Sequence, residues 1–414
     1  MPKLLIIGFV WPEPKSSAAG SRMMQLINVF LSEDYTITFA SPCVKSENAF
    51  NLDSLGVTQK EIELNNSSFD DFISQLKPDI VVFDRFMMEE QFGWRVAENH
   101  PEALRILDTE DLHCLRKGRE QAFKDKKPFN KTYLFRDIAK REIASIYRCD
   151  LSLIISEAEI TILQNDFGVS ENILHYLPFL VNGISEEKSK GLPSFKARKN
   201  FVTIGNFLHP PNLDSVRFLK EHIWPQITSK LKDAELHIYG AYANEKVKQY
   251  EDKKNGFIIK GYVDDVNEVM ANAKVCLSPL RFGAGLKGKF FDAMHNGTPF
   301  ITTTIGAEGI VDENSEQQFV TDLTENIVKH AVNLYQNEEI WLNQQEFGFK
   351  LLRKKYNKKL HTRRFLNKLE DAFTNKETNR LNNFLGSMLQ HHSMQSTKFM
   401  SRWIEEKNKE YIKK

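Results

Sequence analysis

The chain is poor in cysteine, nearly without net charge and without any long apolar run. Cys43, Cys114, Cys149 and Cys276 are scattered through 414 residues with no CxxC. That excludes a disulfide framework and a readable zinc site, and it fits reduced, mostly buried thiols. A formal net charge of +1 removes the global electrostatic case for nucleic acid. No uncharged apolar run approaches the length of a bilayer span. Leu4 to Trp11 is too short for a leader and lacks a cleavage site, so a cytoplasmic protein is expected. The dinucleotide fingerprint is missing too: Gly8, after the first apolar run, has no glycine two residues on.

What is present reads as α/β. With 414 residues and 41% hydrophobic composition, the chain predicts two globular domains and an appendage. Leu4 to Val10 reads as a strand, Arg22 to Leu31 as a helix and Thr36 to Ala40 as a second strand, the opening of a parallel sheet. Further strands are expected at Ile80 to Phe83, Leu104 to Leu107 and Leu151 to Ile155, and a charged helix over Lys131 to Arg148. Ser185 to Asn200 is polar, with Gly191 and Pro193, and reads as a linker. The pattern then restarts with strands at Phe201 to Ile204, Glu235 to Tyr239 and Phe257 to Gly261, and helices over Val266 to Asn272 and Glu325 to Tyr356. The expected organisation is 1–184, a linker 185–200, 201–373 with closing helices, and a helical tail 374–414. Two doubly wound domains facing across a cleft follow from that order.

The most informative stretch runs from Cys276 to Ile310. A strand through Leu280 leads into Arg281-Phe282-Gly283-Ala284-Gly285-Leu286-Lys287-Gly288-Lys289, three glycines and three cations. A helix from Phe290 to Asn296 follows, then a strand from Phe300 to Thr304 and the loop Gly306-Ala307-Glu308-Gly309. A glycine-rich loop opening a helix offers unpaired amides and a positive dipole end, which suits a phosphate or diphosphate. Leu286, Phe290, Ala293 and Met294 share one helix face, with Gly288, Asp292 and His295 opposite. Asp292 is thereby placed to accept hydrogen bonds from a ribose diol. The same residues also read as a solvated helix face with surface lysines.

In the first half, Asp108-Thr109-Glu110-Asp111-Leu112-His113 stands at the end of a strand, where open sheets bind ligands; Arg116 and Arg119 continue it. An acidic helix start is the alternative, with His113 as a structural donor. Ser156-Glu157-Ala158-Glu159 reads as a capping box, Ser156 at N-cap and Glu159 at N3. The small-residue loop Ser16 to Ser21 reads as a plain connection or as room for a bulky ligand. In the tail, Phe399, Met400, Trp403 and Ile404 fall near helical spacing among Lys398, Arg402 and Lys407. That pattern suits packing on the body, or a basic amphipathic helix at a membrane surface.

Taken together, Ile204-Gly205-Asn206-Phe207 with His209-Pro210-Pro211-Asn212 and Asp214, Gly261-Tyr262-Val263 with Asp265, and Pro279 to Gly309 resemble the retaining GT-B glycosyltransferases of family four, in its bacterial branch. Asp108 to Arg116 and Ile155 to Glu159 match more weakly. The resemblance implies a GT-B fold and transfer from a nucleotide-diphosphate-sugar, retaining and metal-independent, with no cofactor. By that resemblance the donor would meet Gly205, Asn206, Gly240, Tyr262, Val263, Gly285, Leu286, Lys287, Gly288, Lys289 and Asp292. Catalysis would fall on His113, Lys287 and Glu308. The acceptor, a glycan, lipid-linked molecule or protein, would meet first-domain loops including Ser17, Gly20 and Arg22. The family's two glutamates, separated by seven residues, fall here on Ala284 and Asp292, so the first is missing; Glu308 is the candidate replacement. A nucleotide-sugar epimerase of GT-B fold and a non-catalytic sugar-nucleotide-binding protein are the other readings. Peripheral contact with the cytoplasmic membrane face through the tail completes the expected partners.

Overall fold

The computed structural model describes residues 1–311 and 319–412. Of the expected spans, 312–318 in the second domain and 413–414 in the tail lie outside the described residues.

Two parallel sheets form. The first holds β1 (Lys3–Ile7), β2 (Thr36–Ser41), β3 (Thr58–Glu61), β4 (Ile80–Asp84), β5 (Leu104–Asp108), β6 (Leu151–Ile154) and β7 (Leu174–Tyr176), in the order β3-β2-β1-β4-β5-β6-β7. The second holds β8 (Lys199–Ile204), β9 (Leu236–Tyr239), β10 (Phe257–Gly261), β11 (Ala273–Leu277) and β12 (Phe300–Ile301), in the order β10-β9-β8-β11-β12. Every strand pairing is parallel. The order reverses between β1 and β4 in one sheet and between β8 and β11 in the other. Crevices outside the carboxyl ends of such strands are where open sheets take ligands.

Central strands are buried on both faces, so they read as continuous apolar runs. Leu5, Ile7, Val81 and Phe83 pack to one side of the first sheet; Leu4, Ile6, Ile80 and Val82 pack to the other. In the second sheet Phe201 and Val275 face one cluster, and Val202 and Cys276 the other. The edge strand β3, TQKE, buries little and carries no pattern that a sequence reading could use.

Several expected boundaries change. The helix expected from Arg22 begins at Ala18, because the Ser17 hydroxyl accepts the Gly20 N–H at 3.0 Å. Lys131 to Arg148 is two helices, Lys131–Leu134 and Asp137–Arg148, broken where Arg136 is extended and Phe135 packs on Phe167 at 5.0 Å. Glu325 to Tyr356 is likewise split, into Thr324–Gln336 and Glu338–Lys354, by an extended Asn337 whose side chain accepts the Ile340 N–H at 3.1 Å. The last strand stops at Ile301, since Thr303 caps the turn Thr304–Ala307. The linker ends in Arg198, only 1% exposed, which donates to the carbonyls of Pro193 and Asn296 at 3.0 and 2.8 Å.

The expected domain division is corrected at its end. Helix Lys358–Thr374, assigned above to the second domain, inserts Phe365, Leu369 and Ala372 into the first domain's apolar cluster. Phe365 meets Phe30 edge-on at 5.8 Å. The tail forms Lys376–Asn382 and Phe384–Ile412 and packs against first-domain helices Phe86–Asn99 and Asp137–Arg148. No helix of the described residues is long and apolar enough to cross a membrane.

Candidate functional site

After β11 the chain runs over the carboxyl end of the sheet and enters helix Gly288–His295, with Lys287 at the N-cap in extended conformation and making no side-chain cap bond. A first helical turn leaves amides without carbonyls one turn back. Gly285 has φ +63°, and a Cβ there would lie 2.8 Å from that of Asp111; one on Gly288 would lie 2.8 Å from that of Ala18. These two glycines therefore let the loop lie directly against the first domain. The loop faces the seam between the domains, near the carboxyl ends of β1 and β5. Ala284, where the family pattern has a glutamate, packs into the first domain's apolar cluster.

Lys287 is buried and Lys289 half-buried, and each holds an internal partner. Lys287 Nζ donates to Gly285 O at 2.8 Å, and Lys289 Nζ to Asn212 Oδ1 at 2.8 Å. Burial lowers Lys287 to about 8, with Arg119 adding to the effect against Glu308, Glu159 and Asp111. Burial brings Lys289 to about 8 as well, opposed by Asp292 among others. Asp292 is pushed up to about 7 by burial, against the pull of Lys289. Ammonium groups desolvated in this way gain most from an arriving anion.

The remaining second-domain candidates follow the carboxyl ends of β8 to β11. Gly205 N–H donates to Tyr239 O at 3.1 Å and Gly240 N–H to Gly261 O at 2.8 Å, tying the strand ends together. The Asn206 side chain accepts from Leu208 N–H at 2.8 Å, and Asn212 Nδ2 donates to Asn206 O at 2.9 Å. Asn212 thus joins the Gly205-Asn206 turn to Lys289. Tyr262 is 42% exposed on the rim, and Val263 is half-buried beside it. Leu286 is buried in the second domain's cluster with Phe290 and Met294.

On the first-domain side, His113 begins helix His113–Lys124. Its ring meets Phe86 edge-on at 5.5 Å, and Nε2 lies 3.5 Å from Asp111 Oδ1. Burial holds its pKa down at about 3, Arg116 and Arg85 pushing the same way and Asp111 opposing; the imidazole is neutral at physiological pH. Burial works against charge on Asp111, but Arg116, His113 and His209 bring it to about 2. Arg116 Nε donates to it at 2.8 Å. Glu308 takes both Arg119 Nη groups, at 2.7 and 2.6 Å. Burial raises its pKa, yet Arg119 and Lys287 leave it lowered overall.

Ser17 and Gly20 lie in the turn that brings Ala18 to Gly288. Arg22 is 3% exposed: Nε and Nη2 donate to Asp108 Oδ1 at 3.0 and 2.8 Å, and Nη1 to Leu177 O at 2.6 Å. It braces β5 from behind the seam.

Other residues complete the region, some inside the motifs and some outside them. Arg85, at φ +70°, donates to Glu110 Oε2 at 2.7 Å. Glu142 accepts the N–H groups of His113 and Cys114 at 2.9 and 2.7 Å. Arg281 pairs with both oxygens of Asp214 at 2.8 and 2.6 Å, its guanidinium 4.6 Å from the ring centre of Phe123 and 4.4 Å from that of Phe218. Asp214 was within reach through its motif; the isolated Glu142 carried no signal. The expected capping box does not form: Ser156 makes no side-chain cap bond, and Glu159 reaches across the seam to Gly285 N–H at 2.8 Å.

Residues 198–337 match the family model for glycosyl transferases group 1. A protein of Klebsiella pneumoniae, "uncharacterized 44.6 kDa protein in cps region", is 26% identical over 145 residues, 33% of this chain and 37% of that relative. The chain therefore matches little more than a third of that relative's length. Among solved structures, a glycosyltransferase from Rickettsia africae superposes with TM-score 0.64 at 14% identity, covering 90% of this chain and 99% of that one. A point mutant of TarM from S. aureus, in complex with fondaparinux, alpha-GlcNAc-glycerol and UDP, gives TM-score 0.55 at 15% identity over 73% of this chain and 58% of that one. These likenesses establish the GT-B fold, two parallel-sheet Rossmann-like domains with a helical C-terminal region.

Proposed function

We propose that the protein moves a sugar from a nucleotide-diphosphate-sugar to a saccharide, lipid-linked or protein acceptor, with retention and without a metal. The observation that carries this reading is the pairing of Lys287 and Lys289, both lowered to about 8, with the open first turn of helix Gly288–His295 at the seam. A leaving nucleoside diphosphate gains negative charge as the glycosidic bond breaks. Amides and ammonium groups aimed at that charge stabilise the transition state more than the ground state. Asp292 would hold the ribose. The neutral His113 would donate or accept a hydrogen bond at the sugar rather than act as an acid, and Glu308, ionised beside Arg119, would meet a sugar hydroxyl. The TarM complex with UDP and alpha-GlcNAc-glycerol and the relative from a cps region support a nucleotide-sugar donor and a saccharide acceptor.

The seam disfavours the epimerase reading. Asp111, at about 2 and bound to Arg116, is poorly suited to proton abstraction at neutral pH. Incubating the protein with a panel of nucleotide sugars and saccharide acceptors tests the proposal. New glycoside with retained anomeric configuration and undiminished rate in chelator is expected; His113→Ala should lower kcat with donor affinity intact. Release of an epimer of the donor without acceptor would overturn the proposal.

A further inference from the structure

Glu159 belongs to one of the weaker matching stretches and to none of the donor candidates, yet it is a carboxylate that joins the two domains. One oxygen, Oε1, accepts two amides: Leu112 N–H at 2.9 Å and Gly285 N–H at 2.8 Å. Leu112 immediately precedes His113, in the loop after β5. Gly285 is in the glycine loop after β11, where its left-handed φ aims the amide at the first domain. The other oxygen, Oε2, is buried and has no hydrogen-bond partner among the described residues, in a side chain with 0% exposure.

A helix start requires none of this. The Ser156 side chain makes no cap bond, and Glu157, in the same first turn, is exposed, pairs with Lys355 at 3.3 Å and suits the helix dipole. Burying a carboxylate with half its acceptor capacity unused is unfavourable. Burial, with Asp111 and Glu308 acting in the same direction, raises its pKa to about 8. Arg119 makes a parallel tie two residues earlier, donating to Gly283 O at 2.9 Å while holding Glu308. The first domain thus fixes both the carbonyl of Gly283 and the amide of Gly285, the two ends of the turn that presents Lys287.

We infer that Glu159 is a positioning residue that couples the glycine loop to the His113 loop, so that the diphosphate grip and the imidazole are assembled together. The inference rests on the proposed donor role of the loop for its consequence in turnover, but the coupling itself is measurable without turnover.

Hydrogen exchange on the unliganded full chain tests it. Glu159→Ala should speed exchange at least tenfold in peptides covering 110–115 and 282–289 and leave helix Glu157–Asn165 unchanged. Glu159→Gln, which keeps an oxygen acceptor, should retain protection; Glu159→Asp, too short to reach both amides, should behave like Ala and serves if the Ala variant does not fold. Faster exchange confined to 157–165, or none, overturns the inference. With an active donor, Ala and Asp variants should raise donor KM about tenfold and lower kcat, with Gln restoring both. A wild type that turns over no nucleotide sugar would refute the functional reading while the exchange result still decides the coupling.

Discussion

At the scale of single residues, the site is a set of charges kept from water by the seam. Asp292 rises to about 7 while Lys287 and Lys289 fall to about 8. A diphosphate requires protonated lysines, and a ribose diol is best held by an ionised carboxylate. Nucleoside-diphosphate affinity should therefore peak between those values. Above them the lysines lose protons; below them Asp292 gains one. Calorimetry across pH checks this, and Asp292→Asn should remove the acidic limb alone. Constant affinity from about pH 6 to about pH 9 would contradict it. Much of this set was legible, because a glycine loop with cations before a helix is a local pattern. Glu159 was misread for the same reason: Ser156 and Glu159 have the spacing of a capping box, and only the second domain's approach gives the carboxylate a better partner than its own helix.

At the scale of elements, strands buried on both faces declared themselves by apolar runs, as β4 and β11 did. β3 did not, since an edge strand of polar residues has no period to read. Helix boundaries moved where a capping side chain, Ser17 or Asn337, decided them. The tail helix Phe384–Ile412 is two-sided. Its inner side is ionic: Arg95 binds Asp70 at 2.7 Å and also Glu405, and Glu98 meets Lys398 at 2.8 Å and Arg402 at 3.0 Å. Phe399 and Trp403 are 61% and 59% exposed on the outer side, with Lys407 Nζ 5.2 Å from the Trp403 ring centre. Phe399→Ala with Trp403→Ala should change folding stability by less than about 0.5 kcal/mol, as for exposed sites. If the tail also rests on the cytoplasmic membrane face, the second reading of its sequence pattern, the pair should abolish sedimentation with anionic vesicles. Unchanged sedimentation removes the membrane reading. Arg380→Ala acts in the preceding helix Lys376–Asn382, stripping Asp150 of contacts at 2.7 and 2.8 Å. A loss of about 2 to 3 kcal/mol is expected in denaturant titration; a loss below about 0.5 kcal/mol would mean the tail's ionic face contributes little.

At the scale of the whole molecule, the two sheets turn their order-reversal points toward a common seam. β1 and β4 bring the Ser17 turn and Arg85, and β8 and β11 bring the Asn206 turn and the glycine loop. Chain order disclosed two such domains. It did not disclose that the chain returns, because the anchoring side chains Phe365 and Leu369 look like those of any amphipathic helix until the first sheet's open face is seen. That return, with the tail, leaves the second domain held at both ends, by the linker before β8 and by the crossing into Lys358–Thr374. The domains meet at the seam, where Glu159 and Arg119 hold the loop.

The proposed transfer depends most on the loop's grip on a diphosphate, and titration calorimetry of nucleoside diphosphates reads that grip directly. Replacing both Lys287 and Lys289 by alanine should remove about 1.5 kcal/mol per charge-assisted contact, a weakening of roughly a hundredfold in Kd. Affinity equal to that of the unaltered protein would contradict the account.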